Sequence, residues 1–152
     1  GFISLMEELP RERLALAVNA VAAIRGMLDI TSNYAQEREA FGKPISQFQH
    51  LRFKFAEMET KYRLNSAFIK ECLNLFQTNS LDTGTASMAK LASTEAQCEI
   101  ADTCLQMFGG YGYMKEYPIS RAFADARIQK IYGGTSEIML ELISRDSFSN
   151  KS

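Results

Sequence analysis

The sequence predicts an all-α protein, an antiparallel helical bundle of three long helices and one or two short ones. Apolar residues recur at helical spacing along three long segments, and no segment alternates apolar and polar residues as a β-strand does. The connections between the long segments are short, which favours antiparallel neighbours. At 152 residues the chain has the length of a single domain with its own hydrophobic core.

The first long helix is predicted from Pro10 to about Ala40. Proline suits a first helical turn, whose N–H groups have no partner within the helix. The helix is predicted to end at Phe41–Pro44, since the residue before a proline avoids helical backbone angles. Its apolar face is formed by Leu14, Ala17, Val18, Val21, Ile24, Leu28 and Ala35.

The second and third long helices follow signals that are typical of helix ends. Ser46–Gln49 has the spacing of a capping box, and the second helix is predicted to run from there to about Phe76. Thr78–Thr83 is a polar loop in which Asp82 or Thr83 can cap the third helix, and Gly109–Gly110 is predicted to end that helix. The predicted apolar stripes are Phe48, Leu51, Phe55, Met58, Tyr62, Phe68 and Leu73 in the second helix, and Met88, Leu91, Ala92, Ala96, Ile100, Cys104 and Leu105 in the third.

The last third of the chain is predicted to hold shorter elements. Tyr111–Pro118 is an aromatic, glycine-rich loop, Ser120–Gln129 is a short helix, and Thr135 caps a last helix. Gly133 and Gly134 stand directly before that cap. Because a fixed glycine loses more backbone entropy than any other residue, this pair indicates a turn or a place that another group must approach closely.

Charge and hydropathy exclude several classes of partner. The net charge is -1, from 17 basic and 18 acidic residues without a long block of one sign, so nothing indicates binding to nucleic acid. No uninterrupted apolar run reaches the roughly 18 residues that a membrane span needs, and no signal-peptide pattern opens the chain. We therefore expect an intracellular protein that is not secreted and has no membrane span.

The potential metal ligands do not form a recognised site. Cys72, Cys98 and Cys104 are odd in number, and neither their spacing nor the single His50 fits a zinc pattern. A di-iron or di-manganese bundle is excluded too, because it needs two Glu-x-x-His pairs. We interpret the cysteines as reduced core thiols and predict no metal.

Five blocks of residues, in order along the chain, resemble the acyl-CoA dehydrogenases. Arg38–Ile45, followed by Gln49, is similar to the family signature R-x-x-F-G-x-P-I-x-x-x-Q. The other blocks are Ala86–Lys90, Gln106–Tyr113, Glu116–Pro118 with Arg121–Ala126, and Ile131–Ile138. The resemblance implies that residues 1–152 are a single helical domain, the C-terminal domain of a longer enzyme whose N-terminal helical domain and middle β-domain are not in this chain.

The resemblance also implies an activity. Family members remove the α-proton of an acyl-CoA and pass the β-hydrogen as hydride to FAD, which gives a trans-2-enoyl-CoA, and their electrons leave to an electron-transfer flavoprotein. We expect a homo-oligomer, dimer or tetramer, in a mitochondrial matrix or a bacterial cytoplasm. The isolated domain is expected to be inactive and to hold little or no FAD, because the β-domain supplies most flavin contacts in the family.

The catalytic base is expected in an unusual place. Tyr132–Thr135 reads Tyr-Gly-Gly-Thr, where many family members have a Glu base after the Tyr, whereas Leu9–Leu14 resembles the helix segment on which the long-chain and isovaleryl-CoA subgroup carries its base. The resemblance therefore implies Glu12 as the base. A carboxylate from another helix needs the volume that the usual Glu would fill, so Glu12 and Gly133 form one correlated choice. The implied substrate contacts are Pro10, Arg11, Glu12, Arg13, Gly133 and Gly134.

The same resemblance implies three groups of FAD contacts. Arg38 and Gln49 would reach the flavin of a neighbouring subunit, and an Arg fork suits phosphate oxygens. Gln106–Gly110 would line that same cofactor with backbone groups. Thr135–Glu137 would meet FAD at a helix N-terminus. The full set is Arg38, Gln49, Gln106, Met107, Phe108, Gly109, Gly110, Thr135, Ser136 and Glu137.

Simpler interpretations of these residues stay open. Glu12 and Arg38 can be surface charges that interact with a helix dipole, and the glycines and Thr135 can be ordinary helix caps. Two other functions also remain for the chain as a whole. It can be a non-dehydrogenase homologue, whether acyl-CoA-binding, oxidase-like or repair-associated, or it can serve only as an oligomerisation module.

Overall fold

A computed structural model describes the backbone of residues 2–149 and the side chains of residues 8–149. Over that part of the chain it is an α-helical bundle with almost no sheet, so the predicted fold class is confirmed. The helices are α1 (Phe2–Glu37), α2 (Gln49–Gln77), α3 (Thr83–Phe108), α4 (Pro118–Ile128) and α5 (Ser136–Ser147).

Helix α1 begins earlier than predicted. Pro10 lies inside the helix and not in its first turn, so the predicted start is wrong. A proline inside a helix removes one backbone hydrogen bond, but the Leu, Met and Glu residues before it are strong helix formers that continue the helix toward the N-terminus. The helix ends at Glu37, slightly before the predicted end at Ala40.

A small β-hairpin follows α1, although no strand was predicted. Strands β1 (Glu39–Ala40) and β2 (Lys43–Pro44) are antiparallel, with Glu39 opposite Pro44. The two turn residues, Phe41 and Gly42, have φ of 54° and 84°, as a type I′ hairpin turn requires. Two residues per strand are too few to show the alternating pattern from which a strand is predicted.

The helix ends test the predicted caps individually. The predicted capping box is wrong, because Ser46 belongs to a 3₁₀ turn (Ile45–Gln47) and α2 begins after Phe48 without a side-chain cap. Asp82 does cap α3, since its carboxylate accepts a 2.7 Å hydrogen bond from the Thr85 N–H. Thr135 caps α5 by accepting a 3.2 Å bond from the Ile138 N–H, also as predicted.

The remaining ends lie near their predicted positions. Gly109, with φ of 60°, ends α3 as predicted and opens a 3₁₀ turn (Gly109–Tyr113). Helix α4 begins at Pro118, two residues before the predicted Ser120, with the proline in the first turn.

Helix α3 is the central helix and packs against the other four. Its predicted apolar face is partly wrong, because Met88 and Ala92 are exposed and Leu91 is only half-buried. Small residues allow several helices to approach α3 closely, while the larger Met88 stays outside. The small residues buried on α3 are Gly84, Ala86, Ser87, Ala89, Ser93 and Ala96.

The core lies in two clusters that follow one another along α1. One joins the middle of α1 to α3 and α4 through Ile24, Leu28, Ile100 and Ile119, and the other joins Leu14 to α2 and α3. Within the described residues, Glu8–Glu37 is the one segment long and apolar enough to cross a membrane, by length and composition only, and 44% of its most apolar window is buried in the bundle. Packing against α3 accounts for that apolar pattern.

Candidate functional site

The turn between α4 and α5 contains two consecutive glycines in the left-handed backbone region. We call residues 130–136 the double-glycine corner. Gly133 has a φ of 67° and Gly134 a φ of 107°, values that other residues rarely adopt. A 3.1 Å hydrogen bond from the Ser136 N–H to the Lys130 carbonyl closes the turn.

Helix α1 lies directly against this corner. A Cβ atom built on Gly133 would stand 2.5 Å from Leu16 Cδ1, which is closer than real Cβ contacts come. Glu12 precedes Leu16 by four residues and therefore lies on the same face of α1, about 6 Å away along the axis. The α1 face that carries Glu12 is thus the face that meets the corner.

The environments of Glu12 and Arg13 differ sharply. Glu12 is exposed, and its carboxylate forms no hydrogen bond or ion pair with any residue that the structure describes. Arg13 is 6% exposed, and its Nε and Nη1 atoms have no hydrogen-bond partner among those residues. Burial lowers the pKa of the Arg13 guanidinium, an effect that the nearby Glu12 carboxylate partly offsets.

The other predicted substrate contacts divide into two places. Arg13 Nη2 lies 4.0 Å from a Cβ built on Gly134, so Arg13 reaches the corner. Pro10 and Arg11 instead line a cavity of about 640 Å³ together with the loop that joins α2 to α3. Among the predicted substrate contacts, the structure thus places Arg13 beside the glycines and Glu12 on the same face of α1 as Leu16, whereas Pro10 and Arg11 line another cavity.

Two α3 residues that were not predicted as site residues hold the corner. The Lys90 ammonium donates a hydrogen bond to the Gly134 carbonyl. The Glu95 carboxylate accepts a 2.9 Å hydrogen bond from the Ser136 hydroxyl and forms a 3.1 Å ion pair with Lys130. Helical patterning alone gives no sign of these contacts, because a Lys and a Glu are normally expected on the solvent face.

A second group of predicted site residues meets at the C-terminal end of α3. Arg38 and Gln106–Gly110 line a cavity of about 590 Å³ with Tyr34 and Tyr111. The Arg38 guanidinium carbon lies 5.6 Å from the centroid of the Tyr111 ring, which holds the charge at the edge of the cavity. The structure therefore brings Arg38 together with the C-terminal end of α3 around one cavity.

Gly110 has no internal reason to be glycine. A Cβ built on it would meet nothing within 4 Å, and its φ is not positive. By contrast, a Cβ on Gly112 would stand 2.5 Å from the Leu105 carbonyl oxygen, so packing within the chain explains that glycine. The open space beside Gly110 allows a group from outside the chain to approach the backbone closely.

An adjoining cavity of about 630 Å³ shares Gln106 and Met107 with the first and is also lined by Phe41. Phe41 is 97% exposed and adopts a positive φ, which is uncommon for a residue without the freedom of glycine. Phe41 was not predicted as a site residue, although the segment Phe41–Pro44 was predicted to end α1. Gln49 is exposed and lines neither cavity.

The third predicted cofactor group lies far from the second. Thr135 and Ser136 are at the corner, their hydroxyls bonded to the Ile138 N–H and to Glu95, and Glu137 is exposed. The distance along α3 from Lys90 at the corner to Gln106 at the cavities of its C-terminal end is about 24 Å. The predicted cofactor contacts therefore form two separate groups.

The described side chains that could bind a metal do not come together in one site. Over the part of the chain that the structure describes, no group of three His, Cys, Asp or Glu side chains could hold an ion. The three cysteines are free, as predicted, and Cys72 and Cys104 are buried.

Comparison with known proteins defines the class to which this helical domain belongs. Residues 1–148 match the family model described as "Acyl-CoA dehydrogenase, C-terminal domain". The chain belongs to the acyl-CoA dehydrogenase family, as the resemblance of its sequence motifs indicated.

Individual relatives support the assignment. The mouse protein named "Long-chain specific acyl-CoA dehydrogenase, mitochondrial" is 49% identical over 150 residues, which cover 99% of this chain and 35% of the relative. An acyl-CoA dehydrogenase structure from Geobacillus kaustophilus is 38% identical with a TM-score of 0.95, covering 98% of this chain and 39% of that one. A Mycobacterium smegmatis glutaryl-CoA dehydrogenase in complex with FADH2 is 26% identical with a TM-score of 0.90, covering 95% and 37%. The chain thus spans less than two fifths of the length of these relatives.

Proposed function

We propose that this chain is the C-terminal domain of an FAD-dependent acyl-CoA dehydrogenase in which Glu12 removes the α-proton of the acyl-CoA thioester. The product is a trans-2-enoyl-CoA. The observation that carries the proposal is the contact between Leu16 and the Cβ position of Gly133. That contact holds the face of Glu12 against the corner at which the usual family base is replaced by glycine.

The contacts at the corner support these roles of Glu12 and Gly133. The Glu12 carboxylate has no described partner, so both of its oxygens are free to accept a proton from a substrate. The absent side chain at Gly133 allows the backbone to approach the thioester closely. Leu16 and Met139 pack against the two glycines and keep the corner in one place.

The second group of residues fits a flavin dinucleotide. Arg38 offers paired N–H donors for phosphate oxygens, and the backbone beside Gly110 is open to a ligand. When bound, FAD accepts the β-hydrogen as hydride. Because the two groups of contacts lie about 24 Å apart along α3, we assign Thr135, Ser136 and Glu137 to the domain's own flavin and the α3-end cavity to that of a neighbouring subunit.

This assignment requires a homo-oligomer, which we propose to be a dimer or a tetramer. Two large apolar side chains, exposed about three turns apart on α2, support it, since exposed apolar surface marks interfaces. On α2, Phe53 is 57% exposed and Leu64 is 67% exposed. We further propose that electrons leave to an electron-transfer flavoprotein, in a mitochondrial matrix or a bacterial cytoplasm. The word "mitochondrial" in the name of the mouse relative supports the first location.

The substitution Glu12→Gln in the full-length enzyme tests the assignment of the base. Removing a general base costs about 100- to 10,000-fold in rate, so acyl-CoA should reduce the bound flavin at least 100-fold more slowly. The measurement is anaerobic bleaching of the flavin by acyl-CoA substrates from short to long chains. FAD content and acyl-CoA affinity should stay unchanged, because Gln keeps the shape of the side chain.

Glu71→Gln is the matched control, since Glu71 is an exposed glutamate on α2 outside the corner. It should bleach at the normal rate. Normal turnover of Glu12→Gln would remove Glu12 as the base. If the wild-type protein binds FAD but no acyl-CoA bleaches it, the chain belongs to a non-dehydrogenase homologue.

A further inference from the structure

Lys90 is an unusually placed lysine. Its side chain is 1% exposed, and its ammonium donates to the Gly134 carbonyl. No carboxylate among the described residues lies within ion-pair distance of it. Burial lowers the pKa of the Lys90 ammonium, and the charge of another cation, Arg13, lowers it further.

Stability alone does not account for this arrangement. A buried charge without a counter-ion is costly, and a Met of similar length would fill the same volume without that cost. At Lys90 the visible difference is the hydrogen bond to the corner.

Helix α3 holds the corner at three points through two side chains. Lys90 binds the Gly134 carbonyl, and Glu95 binds both the Lys130 ammonium and the Ser136 hydroxyl. These three points lie before, within and after the pair of glycines. Because glycine restrains its own backbone least, contacts from outside the turn must fix its conformation.

The bond to Gly134 also sets the direction of the next N–H group. In a trans peptide the N–H points opposite to the C=O, so a carbonyl turned toward α3 turns the Thr135 N–H away from α3. That N–H donates to no residue that the structure describes. It is therefore available on the side of the corner at which the flavin and substrate are proposed to bind.

We propose that Lys90 and Glu95 are positioning residues of the dehydrogenase, which hold the corner in the conformation that its ligands require. The proposal rests on the function proposed above. Neither side chain contacts the reacting atoms; both act through the backbone of the corner. A displacement of about 1 Å at a reacting centre can cost about 100-fold in rate, so their removal is expected to lower kcat more than affinity.

Lys90→Met in the full-length enzyme removes the ammonium and keeps the volume. We expect kcat to fall about 10- to 100-fold, with the dissociation constants of acyl-CoA and FAD changed by no more than about threefold. Hydrogen exchange of the Ser136 amide, whose bond to the Lys130 carbonyl closes the corner, should accelerate at least tenfold in the variant. This second readout does not depend on turnover.

Ser93→Ala is the matched control, since Ser93 is equally buried on α3 and its hydroxyl donates only within that helix. It should leave both kcat and exchange at the corner unchanged. Glu95→Ala is the second variant, because Glu95 is half-buried and its loss is tolerated more easily by the fold. It should raise exchange at the corner and lower kcat in the same direction as Lys90→Met.

The outcomes separate the two proposals. If either variant accelerates exchange at the corner while kcat stays within twofold, the residues are structural and the positioning proposal is overturned. If exchange at the corner does not change in either variant, the anchoring itself is refuted. If acyl-CoA fails to bleach the wild-type flavin, the dehydrogenase function fails, and exchange at the corner still decides whether α3 anchors it.

Discussion

The contact between Leu16 and Gly133 predicts what a single added methyl group would do. In Gly133→Ala the new Cβ would stand 2.5 Å from Leu16 Cδ1, so one of the two must move by about 1 Å to reach ordinary contact. Because Leu16 Cδ1 is the free end of a half-buried, flexible side chain, the overpacking costs about 1 kcal/mol, the low end of the usual range. The left-handed backbone, with φ of 67°, adds about 1 to 2 kcal/mol for a residue with a Cβ.

The two contributions can be separated by a double-mutant cycle. Gly133→Ala alone should lower the free energy of unfolding by about 2 to 3 kcal/mol. In a Leu16→Ala background the same change should cost only the backbone part, about 1 to 2 kcal/mol. The coupling between the sites is therefore about 1 kcal/mol, with the double variant more stable than the sum of the single ones predicts.

Urea denaturation followed by circular dichroism measures all four proteins of the cycle. Gly26→Ala is the matched control, because Gly26 lies in α1 with no atom within 4 Å of a built Cβ. It should be neutral or stabilising by about 0.5 to 1 kcal/mol. Equal losses from Gly133→Ala in the two Leu16 backgrounds would show that Leu16 is not the reason for the glycine.

Two further predictions follow from other parts of the bundle. Gly110→Ala should leave the free energy of unfolding unchanged within about 1 kcal/mol but weaken FAD binding at least tenfold, measured as flavin absorbance per subunit; full flavin content would contradict the assignment of that cavity. Burial raises the pKa of the Cys104 thiol to about 11, from about 9 in the unfolded chain, so the unfolded state loses its proton first. Stability should therefore fall as the pH rises through this window, by at most about 1.4 kcal/mol per pH unit, and less steeply in Cys104→Ala; parallel pH profiles would refute the shift.

Local signals in the sequence were sufficient for much of the fold. Six of the seven residues predicted for the apolar face of α1 are buried, among them Leu14 and Ile24, because they recur with the helical period, whereas the seventh, Val18, is exposed. The caps at Asp82 and Thr135 were predicted because a short polar side chain before a helix has one favourable partner, the free N–H groups of the first turn. Such signals depend on neighbours in the sequence, which the sequence shows directly.

Signals that depend on packing were missed or misread. The face of α3 was assigned to its largest apolar residues, yet Met88 is exposed and the serines and alanines are buried. Whether a small residue is buried depends on how many helices surround it, and that is a property of the whole bundle. Pro10 was taken as a helix start for a similar reason, since the local rule ignores the helix formers before it.

The same difference between local signals and packing applies to the residues of the candidate site. Family motifs supplied Glu12, Arg38 and the two glycines, but no motif shows that Leu16 occupies the place of a side chain at Gly133. Lys90 was not selected, because a lysine in a helical pattern is expected in solvent. Its role became visible only when the structure placed its ammonium on the Gly134 carbonyl.

Helix α3 runs from one group of proposed ligand contacts to the other. It holds the corner through Lys90 and Glu95. Its C-terminal end contributes Gln106 and Met107 to the two adjoining cavities there. Between Thr85 and Phe108 it contains neither Gly nor Pro, the residues at which helices most often kink. This continuous helix keeps the corner and the cavities at a fixed separation. If each group contacts a different flavin, α3 therefore sets the spacing between two cofactors in the assembled enzyme, and a substitution that bends α3 should disturb both sites together.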